Sequence, residues 1–555
     1  MKLPDDFCAY HAEHVEGTYD CVDRIVVNGY FSRGQQGGGF RHWWQQLHGS
    51  DEGLNEQGLK RMAGDFSRRL RAYCAKQEIP VIYCPPKTRK HEIAEEHRPS
   101  DPDFQGLFLV LVAKAPALVW EVKRCSNGQP HLSRKQPWPY VNHYHFHIID
   151  PHWGHVTIKM SGHPPFGTQI ILNGHEWVER KAREQTISQT IKREGNCFVG
   201  GTDLQALDQL TSAFHDEWAW LELAKVCDRW VYSCCLCFAL KREQQDRSGF
   251  RYDYSCYQLE YSRNLLFWRG RMMDEVFQAL IDRTRRFLDV PRVKTIFGRK
   301  TRPYHLQKGR PPIKVERVVD DTEHDLTVFK IHWGRLTLKI YDKGKRILRV
   351  EAIAHNVADL RCGKRLEKLQ TMLAELQRMT VDFLNIVQAA DVNFLDEQIL
   401  DTLPQPVQRG KQRLAGVDLQ KPRMRAVAEA VLALATNPSG FTAKELCEKI
   451  PEHWQQPTQP YTCRNAAYDL RKLRGKGLVE RIGKTCRYRL APHGVHVLAG
   501  MIILREKVIR PVLAGLAKPK PGPKPKNSHP IDEHYRNLRD EMKATFNTLS
   551  IAWAA

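Results

Sequence analysis

The segments HWGHVTIKM (152–160) and HWGRLTLKI (332–340) are two copies of one pattern, and their offset, 332 − 152, is 180 residues. Both alternate with period two. Val156, Ile158 and Met160 oppose Thr157 and Lys159, and Leu336, Leu338 and Ile340 oppose Thr337 and Lys339. Each copy reads as a strand that buries its apolar side and leaves a Lys on the other. The constant offset extends from Trp153/Trp333 through Lys159/Lys339 to His175 in ILNGHEW and His355 in AIAHN. This predicts two related β-modules facing each other across a pseudo-twofold axis, with Lys159, Lys339, His175 and His355 around one groove. The plainer alternative is two convergent hairpins, each with a glycine at its turn.

Working outward, the fold class is α+β and multidomain. Residues 1–130 read as an α/β domain, with Leu59, Met62, Phe66 and Leu70 at helical spacing and strands within 106–123. Gly37, Gly38 and Gly39 lack the Lys-Ser/Thr of a phosphate loop and read as a flexible linker. The first β-module covers 131–202. A helical connector, 203–250, contains a breaker-poor run from Asp216 to Leu240. The second β-module, 251–400, holds a basic loop and a long helix near 363–390. A winged helix covers 424–515, and a basic spacer with a short tail covers 516–555.

With 85 Lys+Arg against 63 Asp+Glu, the net charge is +22, which points to a polyanionic partner. The opening MKLPDDFCAYH lacks the basic and apolar regions of a signal peptide. GLFLVLVAKAPALVW (106–120) is too short to span a bilayer. Fifteen Cys without a signal favour reduced thiols. These features predict a cytoplasmic protein of bacterial type, possessing no membrane partner and able to associate with the nucleoid. A homodimer is compatible with them.

The C-terminal segment carries the clearest binding pattern. MRAVAEAVLALA (424–435) and AKELCEKI (443–450) read as two helices, and TCRNAAYDLRKLR (462–474) as a basic third. LVERIGKTCRYRL (478–490) reads as a two-stranded wing with Gly483-Lys484 at its tip. This is the order of a winged helix-turn-helix, whose recognition helix normally enters the major groove. Arg464, Arg471, Lys472 and Arg474 are expected outside, with Lys484 and Arg487 on the wing. A winged helix used for protein contacts is the blander reading.

KIYDKGKRILRVEAIAHN (339–356) and AAYDLRKLRGKGLVERIGKTCRYRLAPHG (466–494) together resemble a large bacterial family whose members carry a C-terminal MarR-like winged helix. The likeness runs from about residue 55 to 515. A shorter resemblance, carried by Tyr341-Asp-Lys343 and Leu348-Arg-Val-Glu351, is to rolling-circle replication initiators. His145-Phe-His147 matches their His-hydrophobic-His motif. That resemblance implies a metal that polarises a phosphate and a helical tyrosine nucleophile, for which Tyr232 stands nearest.

His143, His145 and His147 share one face of a strand, at a spacing that lets two imidazoles hold one divalent metal. A polar, solvent-facing sheet surface explains the same alternation and is preferred. Glu260 and Glu351, on predicted strands, could bind Mg or Mn at a phosphodiester, but pairing with Arg263 and Arg349 is the simpler account. Cys234, Cys235 and Cys237 read as buried free thiols. The loop 298–317 concentrates Arg299, Lys300, Arg302, Tyr304 and Arg310 and suits phosphate neutralisation with base stacking. Lys343 and His355, within the second module, are further candidates for nucleic-acid contact.

The reading favoured by these patterns is binding of structured or single-stranded nucleic acid, RNA or DNA, by the paired modules, with duplex held by the winged helix. It suits a mobile-element or ribonucleoprotein setting. A metal-dependent nicking enzyme or replication initiator, and a transcriptional regulator, are the alternatives.

Overall fold

The computed structural model describes residues 4–126, 128–276, 314–316, 327–333, 335–343, 346–391, 397–410, 412–435, 440–450 and 460–505, with a few positions between 533 and 544. Arg299, Lys300, Arg302, Tyr304 and Arg310 lie outside the described residues.

Eleven strands form one mixed sheet. In chain order they are β1 (Val15–Tyr30), β2 (Val81–Tyr83), β3 (Gly106–Pro116), β4 (Tyr140–Asp150), β5 (Gly154–Ser161), β6 (Thr168–Asn173), β7 (Asp253–Phe267), β8 (Lys314–Glu316), β9 (Thr327–Trp333), β10 (Leu336–Asp342) and β11 (Ile347–Ala354). Across the sheet the order is β8-β9-β10-β11-β7-β1-β6-β5-β4-β3-β2. Only β2 and β3 run parallel. Strands from residues 1–130, 131–202 and 251–400 thus enter the same sheet. The expected boundaries at 130 and 250 separate lengths of chain within it, not separate units.

The ladder registers reveal the symmetry. β1 and β7 are antiparallel, and Ile25 pairs with Leu259 between the pairs Arg24/Glu260 and Val26/Gln258. β6 adds Ile171 beside Val26, and β11 adds Ile353 beside Glu260. Next come Thr157 on β5 and Thr337 on β10, with Lys159 and Lys339 two residues on. Then His147 on β4 and His332 on β9 pair with those threonines. A half-turn about an axis through the Ile25–Leu259 pair, normal to the sheet, exchanges the two sets. Such a rotation keeps each residue on its own face, so Lys159 and Lys339 lie on the same face, five strand spacings apart, and they are also displaced along the strands, Lys159 level with Asn28 of β1 and Lys339 with Cys21.

The same registers correct the ungapped match. Lys159 pairs with Gln169, ten residues on, while Lys339 pairs with Glu351, twelve on. The second hairpin is therefore two residues longer, and the counterpart of His355 is Asn173. His175 instead opens a helix that the sequence reading missed.

The helices are α1 (Asp6–Tyr10), α2 (Gly37–His48), α3 (Glu56–Lys76), α4 (Lys90–Glu96), α5 (Gly174–Glu184), α6 (Leu204–Ser212), α7 (Ala219–Trp230), α8 (Arg242–Ser248), α9 (Leu369–Asp391), α10 (Pro422–Ala435), α11 (Ala443–Lys449), α12 (Cys463–Gly475) and α13 (Pro492–Ile503). The glycine run of 37–39 belongs to the first turn of α2 and is not a linker. A Cβ at Gly39 would lie 2.3 Å from the Arg33 carbonyl oxygen, so the close approach needs glycine. The run 216–240 is also not one helix. α7 gives way to a π-helical turn, Val231–Cys235, and then a 3-10 turn.

One sheet face is covered by helices. Phe146 stacks on Phe238, and Tyr144 packs on Phe66 of α3. Met372, Leu373 and Leu376 of α9 are buried, and α9 packs against β7 and β11. The repeated HWG turn has a structural role in its first copy. Asp150 accepts from the N–H groups of His152 and Trp153 at 2.8 and 2.9 Å. Trp153 packs against Trp177 and Phe214. Gly154 takes a φ of +66°, where a Cβ would meet the Glu176 carboxylate.

On the helix-covered face a buried ion cluster joins the N-terminus to the central strands. Arg263 on β7 donates to Asp20 on β1 at 2.8 Å and to Asp5 at 2.6 Å. Tyr261 and Gln377 of α9 donate to the same Asp20 carboxylate. The carboxylates hold the guanidinium charged despite burial. At the other end of the chain, α10, α11 and α12 surround a small sheet of β12 (Phe441–Thr442), β13 (Val479–Arg481) and β14 (Arg487–Leu490), ordered β12-β14-β13. It is tied to the rest through α13, which packs on α9, and His496, 2.7 Å from Asp6.

Arg263→Met should destabilise the chain by about 3–5 kcal/mol, because two buried carboxylates lose their counter-charge. Urea unfolding at neutral pH measures this, and a loss under about 1 kcal/mol would show the cluster to be dispensable.

Candidate functional site

The second face of the sheet is polar and partly exposed. Its first half carries the histidine-rich strand. Alternation on β4 sets His143, His145 and His147 beside Ser161, Lys159 and Thr157 of β5. They are not a solvent-facing surface. Ala94 and Ile93 of α4 pack with Phe108, Leu109, Leu111 and Ile149 on the same side, and His143 and His147 are buried. Burial drives the imidazoles neutral, to about 4 for His143 and about 3 for His145 and His147. His155, which the sequence reading passed over, places its Nε2 3.0 Å from Nδ1 of His147. Neutral rings add no positive charge for a phosphate.

Nor do these histidines meet the tyrosine required by the initiator resemblance. Tyr232 follows α7 on the opposite, helix-covered side with Phe238 and Tyr252, where its oxygen accepts from the Tyr252 N–H at 2.8 Å. His145, His147 and Tyr232 therefore do not form a common site. Among the described residues no group of three or more His, Cys, Asp or Glu is arranged to hold a metal ion.

The centre of this face is a dense ionic cluster at the pseudo-twofold. A bulge in β1 between Val22 and Arg24 turns Asp23 toward it. Asp23 accepts from Ser262 at 3.0 Å and lies 3.7 Å from Arg349. Arg349 is buried and donates to Asn264 at 2.7 Å and to the Asn196 carbonyl. Glu351 is paired with Lys339 and accepts from Tyr341 at 3.2 Å. Glu260 accepts from Gln258 at 2.6 Å. The expected pairing of Glu351 with Arg349 and of Glu260 with Arg263 is thus replaced. Arg263 points through to the other face, where Asp5 and Asp20 hold it, and Lys339 takes Glu351.

Burial, followed by Glu351 and Glu260, pushes Asp23 up to about 7, against the pull of Arg349. Burial also raises Glu260, with Glu351 next in effect. His175 is fully enclosed in the first turn of α5, 3.2 Å from Asp23, with neither ring nitrogen in hydrogen-bonding geometry. Burial and Arg349 hold it well below the usual histidine range, so it cannot reach a polyanion or greet one with charge.

The two lysines differ in their surroundings. Lys339 is engaged by Glu351 and lies 4.6 Å from the Tyr341 ring centroid. Lys159 has Gln169 at the equivalent place and no carboxylate partner among the described residues; burial and Lys90 lower its pKa. His355 places Nε2 3.0 Å from Thr337, and the Lys343 N–H closes a hairpin onto Ile347 at 2.7 Å.

On α12, Thr462 caps the helix through the Asn465 N–H, and Arg464 and Arg471 are exposed. Lys472 is not outside as expected. It turns inward, 3.5 Å from Asp469, where its aliphatic stem is buried. Lys484 is exposed beside Gly483, whereas Arg487 is half-buried and held by Glu445 and the Gly440 carbonyl.

No protein family, curated protein or solved structure matches the chain. Among the described residues no helix is long and apolar enough to cross a membrane.

A raised carboxyl favours folding most below its unfolded value, about 3.9, and loses that contribution as pH rises through its folded value. Between about pH 6 and about pH 8 the melting temperature should therefore fall more steeply for the native chain than for Asp23→Asn. Equal slopes would exclude Asp23 as the titrating group.

Proposed function

We propose that the protein binds nucleic acid, gripping duplex with a C-terminal winged helix and structured or single-stranded RNA or DNA with the polar face of the large sheet. The observation that carries this reading is the order α10-β12-α11-α12-β13-β14 with strand order β12-β14-β13. Read as a winged helix, this order would put α12 at the recognition position. Its exposed Arg464 and Arg471, with Lys484 at the hairpin tip, supply cations on the elements that face a groove in such domains.

The sheet face supports the second half of the reading more weakly. It offers Arg24 and Lys159, with Gln169, Asn28 and Gln258 as neutral hydrogen-bonding groups, and a net positive chain behind them. The acidic cluster at its centre limits the positive potential there, so backbone contacts belong toward Lys159. A mobile-element or ribonucleoprotein setting fits a protein with both kinds of surface.

Replacing Arg464 and Arg471 together by Gln in the full chain should lower the logarithmic salt slope for B-DNA by about 1.8, roughly 0.9 per phosphate contact. A folded chain that shows no salt-dependent duplex binding would overturn the winged-helix assignment. Lys159→Gln should weaken single-strand binding more than Lys339→Gln, because Lys339 is already neutralised by Glu351. The reverse order, read by fluorescence anisotropy on one labelled strand, would place the contact on the other half of the sheet.

A further inference from the structure

A cavity of about 700 Å³ opens between the end of α7, α8 and the first residues of β7. The size falls within the roughly 300–1,000 Å³ typical of small-molecule sites. It lies on the helix-covered side of the sheet, away from both surfaces discussed above. Its wall is aromatic. Tyr252 stacks on Tyr254 with centroids 6.3 Å apart, and Tyr232 lies 5.9 Å from Tyr252. Tyr232 is carried into the wall by the π-helical turn Val231–Cys235, a local widening that recurs at binding sites. Because the Tyr232 oxygen accepts from the Tyr252 N–H, its own O–H is left to donate elsewhere.

The rim is cationic. Arg242 and Arg251 share one carboxylate, Asp246, at 3.1 and 3.7 Å, which leaves that side with one positive charge in excess. Both guanidiniums are largely exposed and retain N–H groups for an incoming anion. Asp228, which lines the same cavity, accepts from the Tyr254 hydroxyl through one oxygen at 2.9 Å. A carboxylate there repels phosphate but accepts from a sugar hydroxyl. Flat apolar rings, an acceptor and a two-arginine rim supply one kind of group each for a base, a ribose and a phosphate.

We propose that this cavity binds one nucleoside phosphate, either free or as a unit of a single strand, with the base against Tyr232 and Tyr254, the ribose toward Asp228 and the phosphate between Arg242 and Arg251. The proposal does not depend on the winged-helix reading, since a free nucleotide would bind even if duplex did not.

The full chain would be titrated against 2-aminopurine riboside 5′-monophosphate and, separately, against an oligothymidylate carrying one 2-aminopurine, with stacking read as fluorescence quenching. Quenching of the mononucleotide, competed by adenosine monophosphate, is expected. Quenching of the oligonucleotide as well identifies a strand unit as the source; its absence identifies a free nucleotide. Tyr232→Leu should weaken binding about tenfold through lost stacking. Arg242→Gln with Arg251→Gln, both at exposed positions and so compatible with folding, should weaken it about tenfold or more while sparing duplex binding. A folded native chain that quenches neither probe would overturn the proposal. So would undiminished binding by the double arginine variant, or competition by orthophosphate as effective as that by adenosine monophosphate.

Discussion

Everything in the large sheet depends on the antiparallel pairing of β1 with β7. These two long strands meet near the start and the middle of the chain, with partners running from Val15/Phe267 to Tyr30/Asp253. Each anchors one set of hairpins, β4-β5-β6 on one side and β9-β10-β11 on the other. Without this seam neither set has its innermost neighbour. Arg263 fastens the seam from one face through Asp5 and Asp20, and Arg349 with Asp23 and Asn264 does so from the other. The closing contacts span more than two hundred residues, so loop-closure entropy precedes most of the stabilisation and folding should be slow.

Much of this plan was legible in the sequence, because strict alternation over 153–160 and 333–340 fixes both strand type and face. Reading beyond the hairpin failed for a local reason. Two extra residues between Lys339 and Glu351 shift the second copy, and a self-match without gaps cannot register them. The helix Gly174–Glu184 also went unread. The Asn173 cap, which accepts from the N–H groups of His175 and Glu176, was the available signal for a helix. The domain boundaries were illegible because pairing of β1 with a strand over two hundred residues away leaves no local trace.

The candidate site was less legible than the fold. Glu260, Glu351, Lys159 and Lys339 could be placed on strands and even on one face. Their partners could not, because pairing across strands is set by register. Asp23 and Arg24 gave no warning, since a bulge, not composition, brings Asp23 to the centre of that face. Lys472 had the charge of a groove contact and the helical position of a core residue. The carboxylate of Asp469 decided between them, and only the packing of α12 shows it within reach.

The arrangement around Ile25 and Leu259 is that of a two-fold dimer whose subunits have been joined into one polypeptide. In a homodimer of half-length chains every substitution appears twice, so both sides of the axis must carry the same chemistry. Covalent joining removes that constraint. Gln169 can stand where Glu351 stands, Val26 where Glu260 stands and Asn173 where His355 stands, while the shared backbone frame is kept. The long strand edge that a separate half would present to solvent is consumed inside the chain. Among the described residues the marginal strands are β2 and β8, three residues each. The two halves are free to specialise without losing the geometry that holds them together.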